Sequence, residues 1–100
     1  MNIVTMEELA TELNVDLTTE EMSTITSLIE SAKALIKSAI KLNVTDEQLL
    51  KINGELYNRL IKTLATSLYY DRELTSGYSK GTMIMLTNLR SEALGVSDEV

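Results

Sequence analysis

Apolar residues recur every three or four positions along most of the chain, which is the pattern of amphipathic α-helices. The pattern is most regular over Leu56–Glu73, and no proline interrupts it. Thr45 stands where a helix N-cap is expected, and Gln48 three residues later completes a capping box. The sequence therefore predicts a central helix over Asp46–Leu74, against which the other helices pack.

Three further helices are predicted by the same pattern and by their N-terminal caps. Thr5 and Thr18 each precede a glutamate by three residues, so both are capping-box sites. Gly95 is expected to end the last helix. The four predicted helices are 6–13, 19–42, 46–74 and 82–93. The residues expected to form the core are Met6, Leu9, Ala10, Leu13, Met22, Ile25, Leu28, Ile29, Ala32, Leu35, Ile36, Ala39, Ile40, Leu56, Leu60, Ile61, Leu64, Ala65, Leu68, Tyr69, Met83, Leu86, Leu89 and Ala93.

Gly54 lies inside the predicted central helix, where a glycine costs roughly 0.5–1 kcal/mol relative to alanine. Three interpretations are open: a bend, a close contact with another helix, or a break that leaves 46–53 as a separate turn.

The length and composition predict a single all-α domain. One hundred residues fit one domain. With no proline and only four glycines, the chain lacks the turn residues that a β-sandwich or barrel needs. We predict a small four-helix protomer in the order short, long, long, short, with one domain over 1–95 and a short mobile tail over 96–100.

The charge is negative and unevenly distributed. The net charge is −6, and seven acidic residues precede Lys33, the first basic residue. An acidic chain is a poor candidate for a stand-alone DNA-binding protein, since that affinity comes mainly from basic residues at phosphates. The start lacks the features of a signal peptide, and no apolar run approaches the ~18 residues of a membrane helix. We expect a soluble protein that works in a cytoplasm or in an assembly made there.

The absence of histidine and cysteine excludes catalytic triads, thiolate chemistry and imidazole or thiolate metal sites. The glycines are too sparse for a phosphate-binding loop. Three carboxylate pairs lie in first helical turns, where they stabilise the helix dipole. We therefore predict that the protein is not an enzyme and binds no cofactor. A Mg²⁺ or Ca²⁺ site built from oxygen ligands alone is still open, although no loop has the ligand spacing of an EF-hand. The pairs are Glu7 with Glu8, Glu20 with Glu21, and Asp46 with Glu47.

A stripe of lysines is one candidate interaction surface. Lys33, Lys37 and Lys41 recur every four residues and share one face of the second helix. The stripe either faces nucleic acid or an acidic partner, or it is a solvated face on which Glu30 pairs with Lys33.

A group of aromatic and basic residues is the second candidate surface. Tyr69, Tyr70, Arg72 and Tyr78 cluster near the end of the central helix, and Tyr and Arg are enriched where protein surfaces meet. Alternatively, Tyr69 belongs to the core and Arg72 caps the helix carbonyls. Two long apolar faces flanked by short helices also favour association with a copy or a partner.

Four strings carry a resemblance that extends over about Val4–Arg90. They are VTMEELATELNVD at the start, SLIESAKALIKSAI in the second helix, LIKTLATSLYYDRE in the central helix and MIMLTNLR in the last. In their order and their polar marks, notably Tyr69, Arg72 and Glu73, they resemble the head–tail connector family of long-tailed bacteriophages. These small head-completion proteins are often labelled DNA-packaging proteins.

The resemblance implies a structural protein at the head–tail joint of a virion, assembled in the cytoplasm of the bacterial host. It implies a ring of about a dozen copies that docks beneath the portal protein and links it to the next head-completion or tail-joining protein. DNA would pass through the ring without sequence-specific binding. The lysine stripe would face that channel or, as we prefer, pair with the acidic N-terminal third of the next subunit.

The alternative is a small helical regulatory or protein-binding module that acts as a monomer or dimer. The acidic charge and the lack of a recognisable recognition helix argue against DNA binding by such a module.

Overall fold

The computed structural model describes residues 2–41, 43–71, 74 and 77–98, the last three as backbone only. This part of the chain contains four α-helices and no β-strand, which confirms the all-α prediction. The helices are α1 Met6–Leu13, α2 Thr19–Ile40, α3 Asp46–Tyr70 and α4 Lys80–Asp98.

The three predicted N-caps are confirmed. The hydroxyls of Thr5, Thr18 and Thr45 each accept a hydrogen bond from the backbone N–H three residues later, at 3.1–3.2 Å. At Thr45 the side chain of Gln48 also accepts from the cap's own N–H at 2.8 Å, so both halves of the capping box are present. These bonds satisfy N–H groups that have no partner inside the helix, and they fix where each helix begins.

Two helices end earlier than predicted. α2 ends at Ile40 because Lys41 takes a left-handed conformation with φ 57°. Lys41 therefore lies outside the helix whose stripe it was expected to share. α3 ends at Tyr70, where the N–H of Asp71 donates to the Ser67 carbonyl at 2.8 Å. The prediction that α3 reaches residue 74 was wrong.

The last helix is longer than predicted at both ends. The Ser79 hydroxyl accepts from the Thr82 N–H at 3.1 Å, and this cap starts α4 at Lys80. The prediction that Gly95 ends the helix was wrong, because α4 continues to Asp98. A glycine costs only about 1 kcal/mol inside a helix, so it does not by itself stop one. The rest of the predicted tail, residues 99–100, lies outside the described residues.

Buried apolar side chains from all four helices form the core. α2 packs on α3 and α3 packs on α4, and α1 covers one side of α2. The largest fully buried apolar members are Leu9, Ile25, Ile36, Ile40, Leu49, Tyr57, Leu60, Ile61, Leu64 and Leu89.

The core differs from the predicted one at several residues, among them Val4 and Leu49, which are buried although neither was predicted. Met22 and Met83 were expected inside but are 40% and 56% exposed. Each is the fourth residue of its helix, where the apolar period continues but no neighbouring helix covers it. Tyr57 was not predicted and is fully buried.

Candidate functional site

A break divides α3 close to its first third. Asn53 has φ −161° and ψ 83°, an extended conformation inside an otherwise helical run. Of the three interpretations of Gly54, the break is therefore the one observed, although the residue that leaves the helix is the neighbouring Asn53. α3 consists of a short segment over 46–52 and a long segment over 54–70.

Asn53 stabilises this break through its own side chain. Its Oδ1 accepts from the Leu56 N–H at 3.1 Å, so it acts as the N-cap of the long segment. Its Nδ2 donates to the Glu92 carboxylate on α4 at 2.9 Å. One asparagine thus begins a helix segment and joins it to the last helix.

The break allows a contact that a straight helix would forbid. The Tyr57 hydroxyl donates to Asp46 Oδ1 at 2.6 Å, across eleven positions of the sequence. In a straight helix their Cα atoms would be ~16 Å apart, farther than these two side chains can span together. The bent path of α3 therefore closes a hydrogen bond between its first residue and its buried tyrosine.

Two lysines of α2 meet the same carboxylate. The Lys37 ammonium lies 2.8 Å from Asp46 Oδ1, and the Lys33 ammonium lies 3.6 Å from Oδ2. Lys33 also pairs with Glu30 at 3.1 Å, as one interpretation of the stripe predicted. The Lys33 side chain is only 15% exposed. Two of the three stripe lysines are thus engaged within their own chain.

The network shifts the pKa of Asp46 and the pKa of Tyr57. Burial alone would raise the pKa of Asp46, but the hydrogen bonds from Lys37 and Tyr57 and the charges of Lys33 and Lys37 outweigh it, and the pKa is lowered. Burial raises the pKa of Tyr57 well above its ordinary value, and the bond to Asp46 raises it further. The carboxylate stays charged and the phenol stays neutral, so the network joins α2 to α3 at neutral pH.

The N-terminal part is held to α3 by a second polar group. Asn58 accepts from the Val4 N–H at 3.0 Å and donates to the Asn2 carbonyl at 2.9 Å. The Lys62 ammonium lies 3.1 Å from Glu12 and 3.8 Å from Glu8 on α1. The segment before α1 and α1 itself are therefore tied to the same helix.

α4 is held to the end of α2 by Arg90. Its Nε donates to the Ile40 carbonyl at 3.0 Å. This carbonyl belongs to the last turn of α2, where acceptors lack helical partners and a cation is favourable.

The predicted aromatic group does not form a single cluster. Tyr69 and Tyr70 make an edge-to-face pair with ring centroids 5.2 Å apart. The Tyr69 hydroxyl lies 3.5 Å from Glu21 near the start of α2, and Tyr70 is 73% exposed. Tyr78 is half-buried and lines a cavity with Ala39, near the end of α2. Arg72 lies outside the described residues.

Of the large apolar side chains exposed in the described part of the chain, sequence reasoning singled out Tyr70 as a surface residue and missed the others. The large apolar side chains that stay exposed are Leu17, Met22, Tyr70, Met83 and Ile84. Leu17 and Met22 hold the positions before and after the Thr18 cap that form a hydrophobic staple, a signal readable from the sequence. The same spacing relates Tyr78 and Met83 around Ser79.

The described residues contain no cluster of acidic groups that could hold a metal ion. Within them, no helix is long and apolar enough to cross a membrane. A polar groove of about 440 Å³ runs between α3 and α4, with Arg59 and Glu92 among its lining residues. The arrangement is that of a helical block whose helices are joined by polar contacts.

Comparison with known proteins agrees with this description. No curated protein and no solved structure is significantly similar to the chain. A family model described as "Phage gp6-like head-tail connector protein" matches residues 3–96, which is nearly the whole sequence. The resemblance seen in the sequence is thereby confirmed. The four-helix chain belongs to the family of phage gp6-like head-tail connector proteins.

Proposed function

We propose that this protein is a head-completion connector, which forms a ring beneath the phage portal and links the portal to the next head-completion or tail protein. The observation that carries the proposal is the match of the connector family over residues 3–96. The role is structural and involves no catalysis, since the family is one of virion connectors.

The internal bracing of the chain supports this role. A connector must keep its shape while it bears load between two assemblies. The Asp46 network joins α2 to α3, Asn53 joins α3 to α4, and Arg90 joins α4 to α2. Each pair among α2, α3 and α4 is thus tied by a polar contact in addition to the apolar core.

The charge suits a ring through which DNA moves. A net charge of −6 repels phosphates, so a channel built from these chains would not bind passing DNA tightly. Two lysines of the predicted stripe, Lys33 and Lys37, already pair with carboxylates of their own chain. Of the predicted interface residues, Tyr70 is the one we assign to contact with a neighbouring protein, because its side chain is 73% exposed.

Deletion of the coding sequence from the phage tests the proposal. The mutant should accumulate DNA-filled heads without tails, and purified protein added to those heads should restore infectivity. A core-disrupted Leu64→Asp protein is the matched inactive control, because Leu64 is buried. Normal virion yield with altered transcription would instead support the regulatory module.

A further inference from the structure

Among the described residues, four large apolar side chains besides Tyr70 are exposed, and they fall into two pairs. The α2 patch consists of Leu17 and Met22, which are 41% and 40% exposed. They occupy the two staple positions around the Thr18 cap and are therefore neighbours. The α4 patch consists of Met83 and Ile84, which are 56% and 54% exposed. Single exposed apolar residues are ordinary, whereas grouped ones mark contact surfaces.

The two patches lie far apart on the molecule. Met22 is in the first turns of α2, whereas Met83 lines a cavity together with Ala39, next to the last residue of α2. Seventeen residues of helix separate Met22 from Ala39, which corresponds to ~25 Å along the α2 axis. A two-fold dimer would need both patches on one continuous face, where each meets the other across the axis. Separate patches instead allow the contact of one copy with a different surface of the next.

The surroundings of the patches have opposite charge. Exposed Asp16 and Glu20 flank the α2 patch, and no basic residue occurs before Lys33. Exposed Lys80 lines a shallow groove of about 340 Å³ with Met83 and Ile84. Between residues 74 and 91 the sequence has two basic residues and no acidic one. The patches thus match each other in both apolar character and charge.

We propose that the α2 patch of one copy docks on the α4 patch of the next copy, so that copies join head to tail. This inference rests on the proposed ring function and identifies the two surfaces that build the ring. Head-to-tail contacts repeat around an axis and close into a ring when the rotation per copy divides a full turn. Lys33 and Lys37, which pair with carboxylates of their own chain, take no part in this contact.

A single contact between two copies is expected to be weak, whereas a closed ring of such contacts is expected to be stable. Two apolar side chains on each partner cover far less than the ~800 Å² per partner of a stable interface. Closure of the ring gives every copy two junctions, and the last contacts form within one assembly. Free copies are therefore expected to associate only at high concentration or on a partner that gathers them.

Engineered cysteines test the pairing directly, because the natural chain has none. Met22→Cys and Ile84→Cys proteins are prepared separately, mixed at high concentration and treated with a short thiol-reactive cross-linker. The mixture should give covalent dimers that contain one copy of each variant, and each variant alone should give little product. Ser31→Cys, an exposed α2 position outside both patches, mixed with Ile84→Cys is the matched control.

A charge variant makes the test independent of the cysteines' geometry. Lys80→Glu in the Ile84→Cys protein should lower the yield about two- to fivefold, the effect of one exposed ion pair. Glu20→Lys in the Met22→Cys partner should restore it. Mixed product no greater than the control, or product mainly from single variants, would overturn the proposal.

The cross-linking tests the docking surfaces and the infectivity assay tests the connector role, so either proposal can fail without the other. Cross-linking without restored infectivity would keep the docking surfaces and remove the connector role. Restored infectivity without cross-linking would keep that role and place the ring contacts elsewhere.

Discussion

The hydrogen bond between Tyr57 and Asp46 offers a sharp test of how this fold is held together. The hydroxyl of a fully buried tyrosine lies 2.6 Å from the carboxylate of the first residue of α3. Tyr57→Phe removes that hydroxyl and leaves the ring in the core. The salt bridge from Lys37 to Asp46 stays in place in this variant. The substitution therefore isolates a single contact.

The expected loss follows from the kind of bond. A hydrogen bond to a charged group contributes about 1.5–3 kcal/mol to stability. The Asp46 side chain is 34% exposed, so water can replace part of the lost bond, and we expect a value near the lower end, about 1.5 kcal/mol. For a domain of this size that corresponds to a fall in Tm of about 6–12 °C.

Urea unfolding at pH 7, followed by far-UV circular dichroism, measures this difference. Tyr70→Phe is the matched control, because Tyr70 is 73% exposed and should change stability by less than about 0.5 kcal/mol. A double-mutant cycle of Tyr57→Phe with Asp46→Ala should give a coupling energy of at least about 1 kcal/mol. Equal stability of the two phenylalanine variants would refute the network as a structural support.

Four further predictions concern the core, the break and the dependence of stability on pH. Leu64→Asp places an unpaired carboxylate at a position that is 1% exposed and should abolish the helical circular dichroism signal, whereas Leu17→Asp at an exposed site should preserve it. Asn53→Ala should lower the free energy of unfolding by about 1 kcal/mol through loss of the internal N-cap, and an unchanged denaturation midpoint would contradict the capping role. Because the pKa of Tyr57 is raised in the folded protein, the neutral phenol contributes its full stability below pH 10.0, and that contribution is lost as pH rises further. Tyr57→Phe should therefore lose less stability than the wild type in alkaline melts. The lowered pKa of Asp46 acts in the opposite direction, so its contribution is present above pH 3.8 and is lost as pH falls further; the gap between wild type and Asp46→Asn should close in acid melts.

Local sequence signals predicted most of the fold because they act over a few residues. A threonine with its partner three positions later specifies a helix start wherever the chain goes next, and all three such sites formed caps. Ser79 has the same chemistry but follows a glycine-containing loop, so its cap was overlooked and α4 was predicted to start too late. Helix ends depend on weaker preferences, which explains the errors at Lys41 and Gly95.

The interactions between helices could not be read from the sequence. The helical period places Tyr57 on the apolar stripe with Leu60 and Ile61, but only the break at Asn53 brings its hydroxyl to Asp46. Lys33 and Lys37 form a stripe in a straight helix, but the path of α3 decides that a carboxylate meets them. The exposure of Met83 likewise depends on where neighbouring helices stop. These contacts and exposures depend on how the helices pack in three dimensions.

Native mass spectrometry of the purified chain, alone over a range of concentrations and mixed with portal rings of the same phage, tests the connector ring most directly. The account predicts a discrete complex that contains about a dozen copies of the chain on each portal ring. A chain that stays monomeric or dimeric in the presence of portal, at every concentration, would contradict it.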